Sequence, residues 1–309
     1  MNKKLIAIVL AVSLVILLAV FGIKNILLTK SFRKLKMTPD KVDTIYEYGL
    51  IQYAQKDFDK AMRAFEIVAA QKLDPEKKED ALFKLVEICQ KKNKLDLVRN
   101  HYKKIIEDFP NAEFISKIQS DLESINIKIL FSPIITEDSF QYEIKPNDTL
   151  SKIAKNYNTT VELLKKSNDL KNDIIVPKRT LKVTKAKFSI LVDKSQNLLF
   201  LKKSNEIMKI YRVSTGLNNS TPVGKFKIEE KLISPLWYKV GAVVPPDSPE
   251  YELGKHWMGL SVAGYGIHGT NDSDSIGKHI TKGCIRMLNE NIEELYAVVP
   301  SGTEVVIVD

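Results

Sequence analysis

Between Ile267 and Met287 the chain carries the groups needed for nucleophilic acyl chemistry. His268-Gly269-Thr270-Asn271 is followed by Thr281-Lys282-Gly283-Cys284-Ile285-Arg286-Met287. This stretch holds one of the two cysteines and two of the four histidines. A thiol that attacks a carbonyl must lose its proton, and an imidazole within reach is the ordinary acceptor. Cys284 and His268 are therefore the candidate nucleophile and base, and their sixteen-residue separation suits adjacent strands. Gly283, directly before the cysteine, leaves room for a substrate backbone and for a turn whose N–H groups face a developing oxyanion. His279 falls in a loop five residues before Cys284 and reads as a surface residue. His268, His279 and Cys284 lack the short paired spacing of zinc motifs, so neither a metal nor a cofactor is expected.

The pattern His-Gly-Thr-Asn, Ser-Ile-Gly (Ser275 to Gly277), Gly-Cys-Ile-Arg-Met resembles the catalytic signature of the YkuD-type L,D-transpeptidases. Those are cysteine enzymes that cross-link peptidoglycan stem peptides. Ser214-Thr215-Gly216, Thr221-Pro222-Val223-Gly224 and Trp257-Met258-Gly259-Leu260 extend the match, which covers Phe188 to Asp309. The resemblance implies that the Gly269 carbonyl orients His268 in place of a triad carboxylate. It implies oxyanion donors around Gly283 and Cys284, with Arg286, Thr281 and Asn271 in the oxyanion and substrate-binding set. Arg286 is read equally as a carboxylate ligand or as a tether for its loop. Lys282 stands where some members carry a second histidine, and Thr281 where serine is common. A thiol paired with imidazole is expected to ionise below its reference pKa of about 8.5.

The elements that must position these residues read as β-sheet. Phe188, Ile190 and Val192 alternate, and further strands are predicted at Leu198 to Leu201, Ile207 to Val213, Gly224 to Ile228, Trp257 to Leu260, Gly264 to His268 and Thr303 to Val308. One helix, Ile292 to Val299, follows an Asn291…Glu294 capping box. Lys231 to Gly254, with Pro235, Pro245, Pro246 and Pro249, is too proline-rich for a central strand and reads as a loop over the site.

Upstream, Gln141 to Val183 has the strand, helix, helix, strand pattern of a LysM module, a family that binds glycans containing N-acetylglucosamine. Thr159 and Glu162 have capping-box spacing. Asn147 stands where glycine is common, and Lys178-Arg179 replaces the usual Gly-Gln. From Asp40 to Ile129 the apolar spacing is helical and two segments align at an offset of 37 residues, with Ala61 and Phe65 opposite Val98 and Tyr102 and with Leu73 opposite Pro110. The pair resembles two tetratricopeptide-like hairpins, serving as a spacer or as a groove for a protein partner. Phe114, Ile118, Leu122 and Ile125 form a closing helix, and Cys89 reads as a buried structural thiol.

Leu5 to Ile23 is an uncharged apolar run of nineteen residues, long enough to span a bilayer. It reads as an uncleaved single-pass anchor in the cell membrane with the body outside the cytoplasm. A net charge of +9 favours polyanionic partners, but no nucleic-acid motif is present. Two distant cysteines exclude a disulfide framework. The expectation is a multidomain chain: anchor and flanks (1–30), α-helical repeat domain (38–130), linker (131–139), small α+β (βααβ) LysM module (140–184) and mainly-β catalytic domain (187–309). The expected reaction is acyl transfer from peptidoglycan stem peptides on glycan strands through a cysteine thioester. The rivals are an L,D-carboxypeptidase or D-amino-acid exchange enzyme, and a wall-binding scaffold with an idle catalytic domain.

Overall fold

The computed structural model describes residues 38–309 apart from 73, 240 and 241. The predicted anchor and the Leu73 alignment lie outside the described residues. Among the described residues no helix is long and apolar enough to cross a membrane.

The chain divides between Ile88 and Cys89 into two units. The first contains α1 (Pro39–Ala54), α2 (Phe58–Ala69) and most of α3 (Pro75–Lys91). Asp57 caps α2 by accepting from the Lys60 N–H at 3.2 Å. Ala61, Ala64, Phe65 and Val68 then recur on one helical face and are all buried. A Cβ on Gly49 would lie 2.8 Å from the Phe65 ring, so glycine lets α1 approach α2 closely. Helix α4 (Leu95–Asp108) starts 37 residues after α2, matching the repeat offset.

The second unit begins with Cys89, which is wholly buried, and contains α4 and α5 (Ile115–Leu130). Helix α5 buries Ile118 and Ile125, as the spacing predicts, but also Asn126, Ile127, Ile129 and Leu130. The extra burial has a cause. The Asn126 amide donates to the Met208 carbonyl at 3.2 Å, and Glu123 accepts from the Ile210 N–H at 3.3 Å. Both partners lie on β5 (Glu206–Arg212), the edge strand of the main sheet, whose open backbone groups α5 thus covers. The spacer reading is corrected for this helix: it is part of the catalytic body.

The LysM module pairs β1 (Ser139–Glu143) antiparallel with β2 (Thr180–Thr184) around α6 (Leu150–Asn156) and α7 (Val161–Ser167). Thr149 and Thr160 cap the two helices through their hydroxyls. The predicted cap shifts by one residue, because Thr159 is buried without a hydrogen-bond partner and Thr160 supplies the oxygen. Asn147 (φ 66°) and Lys178 (φ 71°) both adopt the left-handed conformation. For Lys178, standing where glycine is usual, this costs about 1–2 kcal/mol.

The module is fused to its neighbours. Leu163 of α7 belongs to the same core as Ile190, Leu199 and Leu295 of the catalytic domain, and the Thr160 hydroxyl donates to the Ala297 carbonyl. Lys182 on β2 is only 4% exposed, and its ammonium donates to the carbonyls of Ile129, Leu130 and Ser132 at 2.8, 3.3 and 2.7 Å. These acceptors are the last two carbonyls of α5 and one in the turn that follows it. Burial, with the nearby Arg99 charge, pulls the Lys182 pKa down to about 8.

The catalytic domain is an eight-stranded mixed sheet in the order β13, β11, β10, β7, β14, β3, β4, β5. Its members are β3 (Phe188–Asp193), β4 (Leu198–Lys203), β5, β7 (Gly224–Ile233), β10 (His256–Leu260), β11 (Gly266–His268), β13 (Ile285–Arg286) and β14 (Glu304–Val308). Strands β14 and β3 pair in parallel, as do β11 and β13. A short pair, β6 (Thr215–Gly216) with β12 (His279–Thr281), and a hairpin of β8 (Trp237–Lys239) with β9 (Ala242–Val244) lie outside this sheet. The proline-rich segment is thus partly ordered: β7 runs on to Ile233, and Val244, Tyr251 and Leu253 bury themselves against Trp237 and Trp257. Helix α8 (Asn289–Val298) begins before the predicted Asn291 cap, with Leu288 at the cap position and no side-chain cap bond.

Because Leu163 sits in the catalytic core, Leu163→Ala should lower the stability of the catalytic domain by about 2–5 kcal/mol. Urea unfolding followed by tryptophan fluorescence should show one transition moved to lower denaturant. Because both tryptophans, Trp237 and Trp257, lie in the catalytic domain, an unmoved transition would show the two cores to be independent.

Candidate active site

Parallel pairing of β11 with β13 sets Ile267 opposite Ile285 and His268 opposite Arg286. Cys284 immediately precedes β13, at the end of the bend Lys282–Cys284 that leads into it. On the far side of β11, Trp257 of β10 pairs with His268, and its ring stacks on the imidazole at 5.8 Å and 19°. Glycine makes room for the indole: a Cβ on Gly266 would come within 2.5 Å of Trp257 Cζ2.

His268 is 4% exposed. Its Nδ1 is 2.7 Å from the Gly269 carbonyl oxygen. A carbonyl can only accept, so Nδ1 carries the proton and Nε2 keeps its lone pair. Burial pushes the imidazole pKa down to about 4, with the Arg286 charge adding to the effect and the Gly269 bond opposing it. The base is therefore neutral, and able to take a proton, across the physiological range.

Cys284 donates from Sγ to the Gly264 carbonyl at 3.7 Å. Burial raises its pKa above the ordinary thiol value, against the lowering influence of the Gly266 N–H and Arg286. The expected low thiol pKa is corrected: an imidazole that stays neutral supplies no positive charge to favour a thiolate.

The nucleophile loop is closed by its own threonine. Thr281 Oγ1 accepts from the Gly283 N–H at 3.1 Å and donates to the Cys284 carbonyl at 2.6 Å. Thr221 Oγ1 accepts from the Gly216 N–H at 2.7 Å and donates to the Gly283 carbonyl at 2.9 Å. Gly283 has φ 126°, and a Cβ there would lie 2.6 Å from the Tyr265 ring. Since the Gly283 N–H is committed to Thr281, the Cys284 N–H is the one of the two expected donors without an acceptor among the described residues.

Arg286 is 12% exposed at its side chain and donates from Nη2 to Glu252 at 3.0 Å and from Nη1 to Ser275 at 3.2 Å, while its Nε is buried without a partner. The tether reading accounts for both terminal nitrogens. Asn271 donates to the Tyr251 carbonyl at 2.7 Å, so it and Arg286 both hold the segment around Tyr251 and Glu252. His279 is exposed, yet its ring is fixed by Thr215 at Nδ1 (2.8 Å) and Asn197 at Nε2 (3.2 Å). Among the described residues no group of three or more His, Cys, Asp or Glu is placed to hold a metal ion.

Family models match both modules: the L,D-transpeptidase (YkuD) catalytic domain over residues 187–307 and the LysM domain over 142–184. The putative L,D-transpeptidase YkuD of Bacillus subtilis is 34% identical over 174 residues, covering 54% of this chain and 97% of that protein. The chain belongs to the L,D-transpeptidase family. The putative L,D-transpeptidase YqjB of Bacillus subtilis is 36% identical over 126 residues, 39% of this chain and 70% of that protein. The probable L,D-transpeptidase YbiS of Escherichia coli K12 is 29% identical over 127 residues, 36% of this chain and 41% of that protein.

Sequence reasoning missed Trp257 as the wall of the base, Glu252 as the counter-ion of Arg286, and the contribution of Asn289 to the backbone after His268. Their signals were faint: the alternating Gly264 and Gly266, and an asparagine at a helix start. Alkylation of Cys284 by iodoacetamide should rise steadily with pH from 6 through 9, because its pKa lies above the ordinary thiol value and His268 is uncharged throughout. A plateau reached below pH 7, read by peptide mass, would mean that the resting pair is ionic.

Proposed function

We propose that this enzyme is a peptidoglycan L,D-transpeptidase that joins stem peptides through a thioester on Cys284. The observation that carries the reading is the neutral His268, with a proton fixed on Nδ1, on the strand paired with β13, which Cys284 immediately precedes. His268 Nε2 takes the thiol proton as Sγ attacks the carbonyl after the third stem residue. The Cys284 N–H faces the resulting oxyanion. Collapse breaks the amide bond, and the departing D-alanine amine takes the proton back from His268. An amine of a second stem then attacks the thioester, gives its proton to His268, and the thiol is restored.

Arg286, through Glu252, and Asn271, through the Tyr251 carbonyl, hold the segment bordering the site. Thr281 and Thr221 hold the nucleophile loop. The LysM module supports binding to glycan strands, and the apolar run Leu5 to Ile23 supports a single-pass anchor with the body outside the cytoplasm. The tetratricopeptide-like helices are read as a spacer or a groove for a protein partner.

Incubation with purified tetrapeptide muropeptides should yield dimers linked between two third-position residues, identified by mass. Monomeric tripeptide as the sole product would make the enzyme a carboxypeptidase, and unchanged substrate would leave a wall-binding scaffold. Cys284→Ala and His268→Ala should each reduce turnover by several orders of magnitude, and the double variant should lose little more, because nucleophile and base act as one unit.

A further inference from the structure

The tautomer of His268 depends on the direction of one carbonyl. Gly269 O must point back at the preceding residue's Nδ1, and nothing in a sheet ladder requires that. The Gly269 carbonyl and the Thr270 N–H are opposite ends of a single planar trans peptide. Whatever fixes the Thr270 N–H therefore fixes the aim of the Gly269 carbonyl.

Asn289 fixes it. Its Oδ1 accepts from the Thr270 N–H at 3.1 Å, and its Nδ2 donates to the Thr270 carbonyl at 2.8 Å. The carboxamide thus binds both backbone groups of Thr270, as a neighbouring strand would. Two glycines leave space for it: a Cβ on Gly254 or on Gly269 would each lie 2.1 Å from Asn289 Oδ1. Asparagine near a helix start ordinarily caps its own helix. Here α8 has no side-chain cap, and the amide is turned to Thr270 instead. A first-turn residue whose amide is spent on Thr270, and for which two backbones lack side chains, is placed for something other than the stability of its own helix.

We propose that Asn289 is the positioning residue that sets the Nδ1–H tautomer of His268, acting through the Gly269–Thr270 peptide plane. The inference rests on the reading of His268 as the base. With the plane free to rotate, the Gly269 carbonyl swings off Nδ1, the Nε2–H tautomer gains population, and that form cannot accept the thiol proton.

The test uses the full chain and two readouts. Nitrogen-15 NMR of the imidazole reports the tautomer without any substrate: wild type should show a protonated Nδ1, and Asn289→Ala should show a mixture. Turnover of a tetrapeptide muropeptide should fall at least tenfold in kcat for Asn289→Ala, with KM within about twofold, since orientation and not binding is lost. In a His268→Ala background the same substitution should cause no further fall, because its effect is routed through the imidazole. Asn289→Asp keeps the acceptor for the Thr270 N–H and should retain the wild-type tautomer and most of kcat. This variant also decides the matter if Asn289→Ala does not fold. An unchanged tautomer in Asn289→Ala, an equal fall in both backgrounds, or loss of the tautomer in Asn289→Asp would overturn the inference. If wild type itself transfers no acyl group, the substrate reading has failed, and the NMR arm still decides the role of Asn289.

Discussion

The chemistry depends on a two-residue strand. β13 is held from both sides: Met287 donates to the His268 carbonyl at 2.8 Å on the β11 side, and Ser214 and Arg286 exchange both backbone hydrogen bonds at 2.8 and 2.9 Å on the other. That double grip sets the register in which His268 stands opposite Arg286, two residues beyond Cys284. A slip by one residue would turn the thiol to the opposite side of the sheet. The longer strands β7, β10 and β14 extend the layer on which this register is built, and the threonine bonds at Thr221 and Thr281 hold the loop that delivers the thiol.

The second constraint is electrostatic. His268 is stacked on an indole, buried, and near an arginine cation, and the burial and the arginine charge both disfavour a second proton on the ring. The Arg286 charge would also favour a thiolate, but its terminal nitrogens are occupied by Glu252 and Ser275, and burial of the sulfur outweighs it. The site therefore stores no charge separation in its resting state. In the proposed mechanism proton transfer accompanies attack.

The contact between the His268 ring and the Gly269 carbonyl was legible because His268, Gly269 and Cys284 fall in a dense local motif. The main strands were legible because Phe188 to Val192 and Thr303 to Val308 alternate with period two. What could not be read came from contacts far apart in sequence. No local pattern tells that Leu163 of the LysM helix completes the core around Leu295, or that Asn126 reaches Met208. β13 is too short for any periodicity. The α8 start was misplaced because Asn291 has good capping chemistry, whereas Asn289, the asparagine with a structural task, directs its amide away from the helix. The thiol ionisation was misjudged because a sequence names the imidazole beside the sulfur but not the burial that keeps it neutral.

The Lys182 clamp on the end of α5 changes what the LysM module can be. Residues 131–138 join α5 to β1, and if they were a leash, the module would wander and the enzyme would sample many stems near any glycan it held. With Lys182 seated on three carbonyls and Leu163 in the shared core, the module and the thiol keep one heading and one separation. Such a body turns as one piece, so the distance between the module and Cys284 is a fixed dimension of the fold.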